Sequence, residues 1–362
     1  MAKHMTRRGF VGAAAGAAVA SVGAGVVGTA MADEKKEDAP ADGSNAEASA
    51  EAAPEEPQPD SGVMRVCISV NNLEKSLGFF SNMLEYTQVG AGILLPDEVS
   101  ALYGLEGGAR YAMVKNDYQS TVIQLIEFEA RTGACIREGR NGYDPGYYDV
   151  AMRCDDNKAV HKHLTKLGYT YYCEPYEYST DWSDSTVCEA VLCGIDGVPT
   201  TMIETVSEPR PEFDGLFKNI TDIALVVSDM DVADTFWTEV LGLPKVYDED
   251  LTDGLVDPIM GLPEGTHSRM VYYAGTNTPV IEALQFSAEG TSLADVAKPE
   301  NAGIFAMSYI VDDVDAVAKK AADAGFTVHG DPVECVLAVF GRVKSVLVDG
   351  PDGMLAEVFQ QL

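Results

Sequence analysis

Thr221 to Leu243 reads T-D-I-A-L-V-V-S-D-M-D-V-A-D-T-F-W-T-E-V-L-G-L. An alternating apolar run leads into apolar residues at helical spacing, and the pattern stops at Leu-Gly. That predicts a strand followed by an amphipathic helix. Asp222 is out of place, because it opens a strand that otherwise reads as core. A second stretch, R-V-C-I-S-V-N-N-L-E-K-S-L-G-F-F-S-N-M-L-E-Y, starts at Arg65, 157 residues before Asp222. At this offset Phe79-Phe80 meets Phe236-Trp237, and Leu84 meets Leu241. Self-similarity at a fixed period marks a repeated structural unit.

The spacing holds further along. Y-D-V-A-M-R-C-D-D from Tyr148 aligns with F-A-M-S-Y-I-V-D-D from Phe305, again 157 residues on. Tyr103 to Gly108 resembles Met260 to Gly265, Glu174-Pro175 matches Asp331-Pro332, and Asp196-Gly197 matches Asp352-Gly353. The repeat divides the chain into halves at 63–208 and 218–362, joined by the proline-broken linker Glu208-Pro209-Arg210-Pro211-Glu212. Each half reads as strand, helix, strand, strand, strand, twice over. Asp156 and Asp313 stand where a carboxylate caps a helix start, and Gly168 and Gly325 where a helix ends. The expected architecture is α+β, with four βαβββ modules.

The N-terminal segment reads as targeting rather than fold. Thr6-Arg7-Arg8-Gly9-Phe10-Val11 is a twin-arginine pattern, and the weakly hydrophobic Ala/Gly-rich stretch to Met31 ends in the small-x-small run Ala30-Met31-Ala32. Residues 1–32 are therefore expected to be a removed export signal, leaving no stable membrane span and an extracellular or envelope location. Residues 33–62 are rich in Ala, Glu, Asp, Pro and Ser and nearly lack large apolar residues, so an acidic disordered linker is expected.

The formal net charge of −32 argues against nucleic acid and anionic membrane as partners. Seven cysteines, an odd number with no Cys-x-x-Cys, leave at least one thiol unpaired within the chain. Cys67 and Cys154 fall within predicted strands and read as small core residues.

The four strand-to-helix openings and the closing run G-P-D-G-M-L-A-E-V-F-Q from Gly350 together resemble the vicinal oxygen chelate superfamily of glyoxalases, bleomycin-resistance proteins and extradiol dioxygenases. The resemblance spans nearly everything after the linker. It implies modules paired into two cupped mixed sheets, each around a site fed by the first and last strands of its modules. In the first half those positions are Arg65, Gln124, Asp149 and Thr201, and in the second Asp222, Glu282, Ala306 and Glu357. Arginine offers a metal no lone pair. The first-half cup is thus expected to be metal-free, with Arg65 and Asp149 binding a ligand or each other.

In the second half the resemblance implies a divalent metal on Asp222, Glu282 and Glu357. All-oxygen ligation suits Mn²⁺, Mg²⁺ or Ca²⁺ better than Zn²⁺ or Fe²⁺. No organic cofactor is indicated. The first strands carry no histidine, which argues against extradiol ring cleavage. His267 is a candidate proton carrier and Arg269 a candidate clamp for a substrate carboxylate. Arg110 is the counterpart of Arg269 in the first half, and the tyrosine-rich second module suits an aromatic pocket or an interface. His161, His163 and His329 read as surface or structural.

Two functions stay open. One is a metal-dependent lyase or isomerase acting next to a carbonyl of a small molecule. The other is a resistance-type binder with degenerate metal sites. With four modules in one chain, a monomer suffices for both cups.

Overall fold

The computed structural model describes residues 59–179, 185–206, 216–252 and 254–362. The export signal (1–32), most of the acidic linker and the Glu208–Glu212 joint lie outside the described residues.

Module 1 comprises β1 (Gly62–Ser69), α1 (Leu73–Gly78), β2 (Thr87–Leu94), α2 (Pro96–Tyr103), β3 (Ala109–Lys115) and β4 (Val122–Phe128). A short strand, β5 (Gly146–Tyr147), leads into module 2, which has β6 (Val150–Cys154), α3 (Asn157–Lys166), β7 (Tyr171–Ser179), β8 (Thr186–Cys193) and β9 (Pro199–Thr205). After β10 (Phe217–Ile220), module 3 has β11 (Asp222–Val226), α4 (Met230–Asp234), β12 (Lys245–Asp250), α5 (Asp257–Met260), β13 (Ser268–Tyr273) and β14 (Val280–Phe286). Module 4 has β15 (Gly303–Ile310), α6 (Val314–Asp323), β16 (Thr327–Leu337), β17 (Gly341–Asp349) and β18 (Leu355–Gln361).

The local signals act as the sequence predicts. Asp156 and Asp313 accept from the amides of Ala159 and Ala316 at 2.8 and 3.0 Å, capping α3 and α6. Gly168 and Gly325, with φ of +94° and +91°, follow those helices in the left-handed region that a residue with a Cβ enters only at a cost. α1 and α4 each continue into a π-wound turn, Phe79–Met83 and Thr235–Val240, whose aromatic pairs Phe79-Phe80 and Phe236-Trp237 are buried.

Modules pair in an order the repeat does not announce. Cups within each half would join module 1 to 2 and module 3 to 4. Instead β1 pairs antiparallel with β15, so modules 1 and 4 form one eight-stranded sheet, ordered β16-β17-β18-β15-β1-β4-β3-β2. Modules 2 and 3 meet as two five-stranded sheets, β10-β6-β9-β8-β7 and β12-β13-β14-β11-β5. Their seam is tied by the Thr221 amide to the Ala151 carbonyl at 3.0 Å and the Tyr148 amide to the Ala224 carbonyl at 2.9 Å.

Consecutive modules touch instead through their helical sides. Phe79 meets Tyr169 at 5.6 Å and Phe236 meets Phe326 at 5.1 Å, ring centre to ring centre. One apolar core runs behind both cups and draws Val66, Met152, Ile223 and Met307 from the four modules. Burying a continuous apolar layer across all modules is the main stabilising term. Asp196 and Asp352 clasp these contacts, each in a left-handed turn with φ of +53°. Asp196 accepts from the Asn71 amide at 3.1 Å and its Nδ2 at 3.0 Å, and Asp352 accepts from the Ser228 amide at 2.9 Å and its Oγ at 2.5 Å.

Candidate functional site

The module 2–3 cup collects carboxyl groups. Strand alternation turns Ile223 and Leu225 toward the shared core and Ala224 and Val226 into the cup, and Asp222 follows the second set. On β14, Ile281 and Ala283 face the core, so Glu282 and Leu284 face the cup. In the ladder Ala224 lies opposite Glu282, which brings the Asp222 and Glu282 carboxyls within hydrogen-bonding reach of each other. Asp149 arrives from the start of β6. It accepts from the Thr201 hydroxyl and, at 3.3 Å, from the Ala224 amide. Asp149 and Asp222 are only 2% and 3% exposed.

A fourth carboxyl joins them. Glu189, on β8, accepts from the Tyr178 hydroxyl at 2.8 Å, and the Tyr272 hydroxyl reaches Glu282 at 3.4 Å. Glu189 and Glu282 keep part of their surface in contact with solvent, so the cup is not sealed. Around them the walls are apolar: Ala151, Val187 and Ile203 on one side, Ala224, Val226 and Leu284 on the other.

Burial raises the proton affinity of all four carboxyls, and the charge of Asp222 adds to it at the other three. Burial, then the charge of Asp222, pushes Asp149 up to about 8. Burial pushes Asp222 up to about 6 and, with help from Asp222, Glu189 up to about 7. Glu282 is raised well above the usual carboxylate range by burial first and by Asp222, Asp149 and Glu189 after it. The Arg137 guanidinium, stacked over the Tyr148 ring at 4.8 Å, interacts with the Asp149 carboxylate without overcoming these shifts. Arg153, further along β6, donates to Thr205 at 2.6 Å.

The donor set suits a hard divalent ion in kind: carboxyl oxygens in excess and held close. In the arrangement seen here the carboxyls pair off, Asp149 with Thr201 and Asp222 with Glu282. No three His, Cys, Asp or Glu groups among the described residues converge on a common point.

The module 1–4 cup has the opposite character. Arg65 and Glu357 form a buried ion pair there, their side chains 5% and 8% exposed. Arg65 also donates from Nε to Ser308 Oγ at 2.9 Å and from Nη1 to Gln124 Oε1 at 2.8 Å. Glu357 in turn accepts from the Ser308 and Ser345 hydroxyls at 2.6 and 2.9 Å.

The expected site residues are thus redistributed. Asp222 and Glu282 do share a cup, but Glu357 lies in the other one, neutralised by Arg65, and cannot complete their set. Asp149, expected beside Arg65, takes the third place with Asp222 and Glu282. The cause is the module pairing: each cup draws on both halves of the repeat. Arg269 lies on the far face of β13, where Nε and Nη2 hold the Asp248 carboxylate at 2.9 Å each, so it clamps nothing in the cup. Its counterpart Arg110 is spent on Glu74 and Glu127. His267 is exposed beside Asp250, 3.3 Å away, apart from the carboxyl cluster. All seven cysteines are free thiols, and Cys67 and Cys154 are buried as small core residues.

Glu189 and Tyr178 were not among the expected residues. The signal existed. Glu189 interrupts the apolar strand V-C-E-A-V-L as Asp222 interrupts its own, but it sits on a third strand, outside the first-and-last-strand pattern.

Residues 219–358 match the model of the Glyoxalase/Bleomycin resistance protein/Dioxygenase superfamily. Comparison with curated proteins by sequence finds no match. Among solved structures, glyoxalase I from Zea mays aligns over 83% of this chain and 92% of its own, with TM-score 0.54 and 15% identity. A putative dioxygenase from Bacillus subtilis aligns over 83% and 85%, with TM-score 0.51 and 12% identity. Residues 219–358 are thus similar to that superfamily, and the cupped sheets of the chain have the glyoxalase-like fold.

Proposed function

We propose that the module 2–3 cup is the working site of an exported, divalent-metal-dependent lyase or isomerase acting next to a carbonyl of a small molecule. The observation that carries this is the set of Asp149, Asp222 and Glu282. These three carboxyls stand at the first- and last-strand positions of facing modules, Asp149 and Asp222 buried and Glu282 partly so, with their proton affinities raised despite Arg137 near Asp149. Desolvated like charges need protons or a cation, and Mn²⁺, Mg²⁺ or Ca²⁺ would replace the protons. When bound, the ion supplies Lewis acidity to the oxygens of a chelating ligand.

The chain's own groups do the rest. Asp149 is held in place by the Thr201 hydroxyl and the Ala224 amide. The apolar walls limit water. Glu189 lies outside the three-carboxyl set and titrates near neutrality, so it is suited to accept a proton from carbon and return it, with Tyr178 orienting the accepting oxygen.

A resistance-type binder with no turnover is favoured by one observation, the pairwise satisfaction of the carboxyls within the protein. Two measurements on the tag-free protein separate the proposals. The first is metal content with Mn²⁺ calorimetry on wild type, Asp222→Asn and Glu282→Gln. The second is deuterium exchange at the carbon next to the carbonyl of simple hydroxyketones, followed by NMR. One equivalent of metal in wild type, lost in both variants, together with metal-dependent exchange, supports the enzyme. Metal without exchange leaves the binder, and no metal at all sinks the mechanism.

A further inference from the structure

The two cups can be compared strand for strand. Where the module 2–3 cup has Asp222, Glu282, Asp149 and Thr201, the ladders place Arg65, Gln124, Ala306 and Glu357 in the other. One carboxyl remains, and a guanidinium stands in the position of Asp222. Its Nε, Nη1 and Nη2 reach Ser308, Gln124 and Glu357. These acceptors come from three different strands, β15, β4 and β18, and from two modules. Each is an oxygen of the kind a hard cation would take, and Glu357 is further held by Ser345.

We infer that Arg65 is a tethered cation filling the cation position of the module 1–4 cup. That cup therefore accepts no metal, which leaves the module 2–3 cup as the one place where the fold's cation position is not already filled by a side chain. Burial works against the guanidinium charge, but the paired Glu357 carboxylate offsets it and keeps Arg65 protonated. The metal expected of the fold does not fit here, because the arginine has no lone pair to offer and occupies the space. The inference does not depend on what the other cup does.

The physical consequence is specific. Removing one partner of a buried pair leaves an uncompensated charge, whereas removing both is far better tolerated. Arg65→Ala should open a cavity lined by Gln124 Oε1, Glu357 and the Ser308 hydroxyl. Free guanidinium is the matched probe for it.

The test is thermal unfolding of full-length wild type, Arg65→Ala and Arg65→Ala/Glu357→Gln, with guanidinium chloride titrated to the low millimolar range against sodium chloride at equal ionic strength. Arg65→Ala should lose about 6–10 °C in Tm. Guanidinium should restore part of that loss saturably, and should do nothing for the double variant or wild type. Recovery equal to that in sodium chloride, or recovery shared by the double variant, overturns the inference. So does an Arg65→Ala Tm equal to wild type. If Arg65→Ala does not fold, Arg65→Met/Glu357→Met decides. Folding within a few degrees of wild type supports a charge-balance role, and failure to fold overturns it. Calorimetry with Mn²⁺ on Arg65→Ala, with the other cup disabled by Asp222→Asn, keeps this test separate from the proposed activity.

Discussion

The metal-free protein should lose stability as pH rises through neutrality, and Asp149 sets the scale. Its carboxyl is 2% exposed and pushed up to about 8. In the unfolded chain an aspartate titrates near ~3.9. Between these values the folded state keeps a proton that the unfolded state has released. Stability therefore declines from about pH 4 to about pH 8 and levels off above. Each pH unit of separation is worth about 1.4 kcal/mol, so the interval from pH 6 to 8 accounts for about 2–3 kcal/mol from this one proton. Asp149, Asp222 and Glu282 interact closely, so the loss belongs to the set rather than to one residue. Expressed as melting temperature it is about 5 °C. The assay is thermal unfolding of chelator-treated protein at pH 6, 7 and 8 and fixed ionic strength, with Asp149→Asn alongside. The variant should show a flatter profile and a higher Tm at pH 8. A wild-type Tm that holds or rises from pH 6 to 8, or an Asp149→Asn profile as steep as wild type, would refute the reasoning.

Other consequences are simpler to check. Saturating Mn²⁺ at about 100 times its dissociation constant should stabilise the fold by about 2.7 kcal/mol, with tighter binding at pH 8 than at pH 6, because fewer protons must be displaced; this is read by calorimetry at both pH values. Glu189→Gln should keep the metal stoichiometry yet lower any proton-exchange rate by about 10²-fold or more, measured by NMR at saturating metal. Asp196→Ala removes both Asn71 hydrogen bonds across modules 1 and 2 and should cost about 2–3 kcal/mol in denaturant unfolding, while Asp196→Asn should cost less.

Much of this was legible in residue order. Asp156 and Asp313 as caps and Gly168 and Gly325 as stops follow from short-range rules of helix ends, whereas the face of Glu282 hung on a strand register that a one-residue slip would reverse. Asp222 announced itself as a carboxylate in an apolar strand. Glu189 gave the same signal but lay on a strand where no site residue was expected. Arg269 failed as a clamp because a neighbour on the next strand, Asp248, already matched its charge.

Sequence alone determined the four units, since these depend on periods of 2 and 3.6 residues and on spacing along one chain, while strand register, which decides the face of Glu282 and of Arg269, was not fixed by it. The choice of partner module was decided only in three dimensions. A repeat states that module 1 resembles module 3 but not which free strand edge each will meet. Packing the helices of consecutive modules into one core sent β1 to β15 and β11 to the module 2 seam. That placed Glu357 with Arg65 as a neutral pair and left Asp149, Asp222, Glu282 and Glu189 together, so the tertiary fold alone fixed which cup holds the clustered carboxyls.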